Sequence, residues 1–159
     1  IFRNNSLPNI TELYIRANLS TVKQEFGGVF GSLHIADFSH NSIASFSNSY
    51  FEQEVNTLSL SNNLLAEWRD RLMPSLGSLS LDSNLLEEFS NNTLSQVRII
   101  SLKNNSIKSM ANNHMPSLIF LNLDSNELEV FECVGGNELE TLILSNLLSY
   151  VGHNLFNDS

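Results

Sequence analysis

The sequence predicts a solenoid of α/β type, mostly β, in which short repeats stack into a coil with a parallel sheet on its concave side, and three observations predict it. One phrase recurs along the chain: an apolar residue, apolar residues at +3 and +5, asparagine at +8, and apolar residues at +10 and +13. The asparagines fall at Asn41, Asn63, Asn84, Asn105 and Asn126, at intervals of 22, 21, 21 and 21 residues. Within each phrase the apolar-x-apolar step has the period of two that puts alternate side chains on one face of a strand.

Taken in order, the repeats occupy 10–32, 33–54, 55–75, 76–96, 97–117, 118–138 and 139–159 of a single domain spanning 1–159. The first is degenerate: Ile10, Leu13, Ile15 and Asn18 keep the frame, while Leu19 and Val22 come one position early. Five clean copies follow, LHIADFSHNSIASF from Leu33, VNTLSLSNNLLAEW from Val55, LGSLSLDSNLLEEF from Leu76, VRIISLKNNSIKSM from Val97 and LIFLNLDSNELEVF from Leu118. Phe51, Met73, Leu94 and Met115 supply a further anchor eighteen residues after each start, and Gly136 is the exception. In the last copy Leu139, Leu142 and Leu144 are followed by a one-residue deletion, after which Asn146, Leu148, Val151 and Phe156 resume the spacing.

Each repeat therefore contributes one short strand, and strands of successive repeats stack ~4.8 Å apart. A parallel sheet joined by helices needs crossovers of a dozen or more residues, which a 21-residue unit does not leave. Irregular, extended or 3₁₀ segments are expected on the convex side. Asparagine suits the turn because its amide has two donors and an acceptor for backbone groups that leave the sheet. The expected ladder is Asn18, Asn41, Asn63, Asn84, Asn105, Asn126 and Asn146, with its amides buried.

The string LxxLxLxxNxLxxF, as in LGSLSLDSNLLEEF, is similar to the signature of the leucine-rich-repeat family. The resemblance covers nearly the whole chain and implies a right-handed curved solenoid that acts as an interaction scaffold. The irregular repeat lengths and Asn/Ser-rich convex segments also resemble secreted arthropod immune and cell-surface repeat proteins. That likeness implies extracellular recognition in immunity or adhesion. An intracellular regulatory or scaffold subunit and a self-assembling structural protein are the alternatives left open.

The chemistry of the chain narrows its partners. A net charge of −9, from 17 acidic and 8 basic residues, works against nucleic acid and anionic membrane surfaces. No apolar run approaches the ~20 residues that insert into a bilayer. The single cysteine, Cys133, admits no internal disulfide. Asp37, Ser39 and His40 are the residue types of a nucleophilic triad, but the frame makes them strand and turn positions with no oxyanion donors, so no catalytic residue is assigned. His34, His40, His114 and His153 lack ligand spacing, so no metal or cofactor is expected. The glycines Gly27, Gly28 and Gly31 of FGGVFG have no following Lys-Ser/Thr and read as a convex turn. N-x-S/T triplets begin at Asn4, Asn9, Asn18, Asn91, Asn104 and Asn157, most of them expected by chance in so Asn- and Ser-rich a chain. Asn91, on a convex turn, is the candidate glycan acceptor, whereas Asn18 as a ladder residue is a poor one.

The expected partner is another protein, met on the concave face. Column three reads Glu12, Ile35, Thr57, Ser78, Ile99, Phe120, Thr141, and column five reads Tyr14, Asp37, Ser59, Ser80, Ser101, Asn122, Ile143. Column seven reads Arg16, Ser39, Ser61, Asp82, Lys103, Asp124, Ser145. Interface energy concentrates in large aromatic and charged anchors, which selects Tyr14, Arg16, Asp37 and His40 at one end and Asp82, Lys103, Phe120 and Asp124 toward the other. Trp68 fills the slot of Phe46, Phe89 and Phe131 and is expected in the core. Both ends are apolar, which predicts a piece of a longer array or association with itself or another chain through the solenoid ends.

Overall fold

A computed structural model describes residues 7–22, 30–46, 55–134, 138–145 and 150–151. Asn146, Phe51, Gly27, Gly28, Gly136 and His153 lie outside the described residues. The strands are β1 (Glu12–Tyr14), β2 (Thr21–Val22), β3 (Ile35–Asp37), β4 (Ser45–Phe46), β5 (Thr57–Ser59), β6 (Trp68–Arg69), β7 (Ser78–Ser80), β8 (Glu88–Ser90), β9 (Ile99–Ser101), β10 (Ser109–His114), β11 (Phe120–Asn122), β12 (Val130–Val134), β13 (Thr141–Ile143) and β14 (Tyr150–Val151). The odd-numbered strands form one seven-stranded sheet in the order β1-β3-β5-β7-β9-β11-β13, parallel throughout. The chain is a mostly-β parallel solenoid, with no helix among the described residues.

The coil closes because every repeat sends the same set of side chains inward. In the first sheet Leu13, Ala36, Leu58, Leu79, Ile100, Leu121 and Leu142 stand in register. Ala36, Leu58, Leu79, Ile100 and Leu121 are buried, while Leu13 and Leu142 pack partly buried at the flanks. Phe38, Leu60, Leu81, Leu102 and Leu123 form the next inward column, and Ile43, Leu65, Leu86, Ile107 and Leu128 the one after the turn. Each such side chain contributes roughly 1.5–3 kcal/mol by leaving water. Trp68 is fully buried, stacked on Phe46 with centroids 5.6 Å apart, and the Arg71 guanidinium lies 4.9 Å from the indole centroid.

On the opposite side the extended segments expected there pair with one another in part, while the rest of each described stretch is turn or irregular chain and none of it is 3₁₀ helix. A second parallel sheet runs β14-β12-β10-β8-β6, and β2 pairs with β4. Its physical origin is the constant repeat length. Anchors Trp68, Phe89, Met110 and Phe131 sit in register. Their extended backbones then meet in the same alignment as those of the first sheet, and the peptide groups pair rather than face water.

Five asparagines form a hydrogen-bonded ladder at the turn after the first sheet. Asn84 shows its geometry: Nδ2 donates to the carbonyls of Leu60 and Leu81 at 3.0 Å each, and Oδ1 accepts the Leu65 N–H at 3.0 Å. Asn63, Asn105 and Asn126 repeat this pattern and are buried, and Asn41 makes the equivalent bonds half-buried. The residue before each ladder amide has a left-handed backbone: His40, Asn62, Ser83, Asn104 and Ser125, with φ between 54 and 57°.

Asn18 does not belong to this ladder. It is exposed, its φ is 54°, and its Oδ1 accepts the Ser42 hydroxyl at 2.7 Å. The cause is a shorter first turn. Leu13 pairs with Ala36, but Val22 pairs with Phe46, so one residue fewer separates strand from anchor than in the next repeat. The left-handed φ falls on Asn18, five residues after Leu13, where it falls on His40, four after Ala36, and the ladder bonds of Asn41 reach the N–H groups of Ala17 and Leu19.

A second, shorter asparagine ladder lies at the turn after the second sheet. Asn92 and Asn113 are both fully buried. Asn113 Nδ2 donates to the Phe89 carbonyl at 2.8 Å, and its Oδ1 accepts from the Asn92 backbone N–H at 3.0 Å and Asn92 Nδ2 at 2.9 Å. Asn92 Oδ1 accepts the Arg71 N–H at 3.1 Å. Left-handed residues Asp70, Asn91 and Asn112 precede this row.

Candidate functional site

The strand pairings assemble the outward columns of the first sheet into a continuous face. Glu12, Ile35, Thr57, Ser78, Ile99, Phe120 and Thr141 lie side by side, as do Tyr14, Asp37, Ser59, Ser80, Ser101, Asn122 and Ile143. At ~4.8 Å per strand the two columns run for roughly 29 Å.

Two groups of candidate residues stand on this face, separated by small hydroxyl side chains. At the first end Tyr14 is 61% exposed and its phenol donates to Glu12 Oε2 at 3.1 Å. That hydrogen bond, reinforced by the Glu12 and Asp37 charges, holds the phenol above its ordinary pKa. Arg16 reaches Asp37 at 3.9 Å. Asp37 Oδ1 also accepts the Ser39 backbone N–H at 2.8 Å, and Ser39 is buried, so these two residues build a turn. His40 sits on the left-handed corner with its N–H donated to the Ser61 carbonyl.

Across the middle, Thr57, Ser59, Ser61, Ser78 and Ser80 give a low floor on which the Ser61 and Ser80 hydroxyls pair at 2.6 Å. Beyond it, Asp82 Oδ1 accepts the Ser101 hydroxyl at 2.6 Å and the Lys103 N–H at 2.8 Å. Lys103 Nζ lies 3.1 Å from Asp124 Oδ2. The Ser145 hydroxyl first, and then Lys103, hold the Asp124 carboxyl below its ordinary pKa. Phe120 is half-buried beside Ile99, which is 48% exposed, and Ile143, 38% exposed, lies diagonally across from it.

The structure thus brings Tyr14, Arg16 and Asp37 together, and Asp82, Lys103 and Asp124 together, with Phe120 near the second group. It does not join the two groups. Ile99 and Ile143 were legible as apolar residues in outward columns, yet selection of aromatic and charged anchors passed over them. Asp82 and Asp37 have structural work in backbone turns, which leaves fewer of their acceptor sites for a ligand. Asn91 is exposed at a left-handed corner, and so are the triplet asparagines Asn18 and Asn104. No protein-family model, curated protein or solved structure matches the chain.

Proposed function

We propose that the chain is a leucine-rich-repeat recognition module that binds another protein, without catalysis, through the outward face of the seven-stranded sheet. The phrase LxxLxLxxNxLxxF, its short parallel strands and its buried asparagines support the family assignment. One observation carries the functional reading: Tyr14 and Ile99 stand 61% and 48% exposed in outward columns that small hydroxyl residues fill elsewhere in the same sheet, Ser59 and Ser80 in the column of Tyr14 and Thr57 and Ser78 in that of Ile99. Large side chains held on a rigid sheet, with little rotamer freedom to lose, are the usual anchors of an interface. Asn9, Asn18, Asn91 and Asn104 are all exposed, which leaves these N-x-S/T sites open to a glycan if the chain is extracellular.

The test compares wild type with Y14A/I99S/F120S, both immobilised and incubated with extract of the natural source, followed by cross-linking and mass spectrometry. A protein captured by wild type and lost by the variant supports the sheet face. Equal capture by two chains that melt alike sinks it.

A further inference from the structure

The flank between the first asparagine ladder and the second sheet carries a surface that folding does not use. In each repeat one residue follows the ladder asparagine on the outside and the next enters the core: Ser42 then Ile43, Leu64 then Leu65, Leu85 then Leu86, Ser106 then Ile107, Glu127 then Leu128. Leu65 and Leu86 are buried at 1% and 0%, which accounts for the second leucine of each doublet. Leu64 and Leu85 are 48% and 55% exposed. Serine or glutamate serves the same position in the other clean repeats, so the coil does not require leucine there.

The two leucines stand on consecutive turns. The Leu64 N–H donates to the Ile43 carbonyl at 2.9 Å and the Leu85 N–H to Leu65 at 2.8 Å, so the turns stack directly. Ala44 and Ala66, exposed two residues further along the flank, extend a low apolar floor. The rim is acidic. Among the described residues Glu67, Glu87 and Glu88 border the floor on the side of the second sheet, Glu127 and Glu129 follow two turns beyond Leu85, and the cations along the same strip are Arg69 and Lys108. Arg69 lies 3.5 Å from both Glu67 and Glu88, and Lys108 lies 3.9 Å from Glu127. Glu87 forms no ion pair among the described residues and is exposed.

We propose that this flank docks a segment of a partner protein presenting two apolar side chains flanked by Lys or Arg. The apolar pair covers Leu64 and Leu85, and the cations meet the carboxylate rim, Glu87 first. Two adjacent outward leucines within an acidic rim match that chemistry and repel an acidic segment or an anionic lipid surface. The surface is separate from the sheet face, so either can fail without the other.

The experiment selects a random peptide library displayed on phage against the wild-type chain, with counter-selection on L64S/L85S. That variant installs the residue that Ser42 and Ser106 already carry at this position, and an unchanged thermal melt checks that it folds. The expected result is enrichment of peptides that pair apolar residues with net positive charge. A synthetic copy of the most enriched sequence should bind wild type about tenfold or more tightly than either L64S/L85S or E87K. No enrichment over the counter-selection, enriched peptides without net positive charge, or equal binding to the variants overturns the proposal. So does a concentration-dependent dimer that L64S/L85S abolishes, because it assigns the leucines to a second copy of the chain.

Discussion

Asn84→Asp tests the ladder most sharply, because it keeps size and shape while reversing the role of one atom. Asn84 is 7% exposed, and its Nδ2 faces the carbonyls of Leu60 and Leu81 at 3.0 Å and of Asp82 at 3.4 Å. Replacing that donor with a carboxylate oxygen removes two good hydrogen bonds and points negative charge at three carbonyl oxygens. Each buried acceptor left unsatisfied costs about 1–3 kcal/mol, and burial of the charge adds to that. The total comes to roughly 3–6 kcal/mol on the same scale. For a chain of this size, 1 kcal/mol moves Tm by about 2–4 °C, so the melt should fall by on the order of 10 °C or more.

The same substitution has a pH signature. Burial beside carbonyls raises the folded pKa of the introduced carboxyl above its unfolded value of about 3.9. The protonated form then restores one donor. The variant should therefore come closest to wild type below the unfolded pKa and lose ground as pH rises through the folded one. Asn62→Asp, at the exposed left-handed corner, is the control and should stay within about 0.5 kcal/mol of wild type. Circular-dichroism melts at acid and neutral pH measure both effects. A neutral-pH melt of Asn84→Asp matching wild type would refute the reasoning about the buried amide.

Three further outcomes are expected. Ser83→Gly should raise the urea midpoint by the equivalent of about 0.5–1 kcal/mol, because φ at Ser83 is 55°, a conformation that strains an L side chain; a lowered midpoint refutes this. Asn113→Ala should destabilise by roughly 2–4 kcal/mol and speed hydrogen exchange at the Asn92 amide, which loses its acceptor. In NMR titrations Ser145→Ala and Lys103→Met should each raise the Asp124 carboxyl pKa, because the Ser145 hydroxyl and the Lys103 ammonium both hold it below its ordinary value; no change in either variant refutes this. Because that pKa is depressed in the folded chain, its contribution to stability is present above the unfolded value and fades as pH falls through the folded one.

The inward half of this molecule was legible because burial constrains it. Apolar residues at +3 and +5 and asparagine at +8 recur because a polar side chain in those columns is buried without a partner, and losing the asparagine orphans a carbonyl. The first turn was misread because Asn18 satisfies the frame by counting, whereas Leu19 and Val22, one position early, report the true shortening. The pairing of the second sheet was not legible because each of its strands shows the sequence one inward apolar anchor, as Trp68 in Trp68–Arg69 or Phe89 in Glu88–Ser90, which is too little alternation to distinguish strand from irregular chain. Its ladder had a signal in the doublets Asn91-Asn92 and Asn112-Asn113, but the same corner reads Asp70-Arg71 one repeat earlier, which breaks the period. Leu64 and Leu85 were hidden for a different reason: beside a buried leucine, an outward one looks like more core.

The outward half obeys no such constraint, and that separation decides how binding can be studied here. Each repeat contacts its neighbours through inward columns and ladder bonds, so stability accumulates from terms in which Tyr14, Ile99, Leu64 and Leu85 take little part. Truncating a fully buried side chain such as Leu79 or Leu102 should cost about 2–5 kcal/mol, whereas a substitution at a half-exposed outward position stays within about 0.5 kcal/mol. A binding loss in an outward variant is thus readable as lost contact rather than lost fold. The two surfaces also differ in what they offer. The sheet face presents separated anchors over a hydroxyl floor that pairs with itself, while the flank presents adjacent leucines within unbalanced negative charge. Raising the salt concentration should therefore weaken a partner held by the flank more than one held by Tyr14 and Ile99, since only the former depends on charge rim against charge rim.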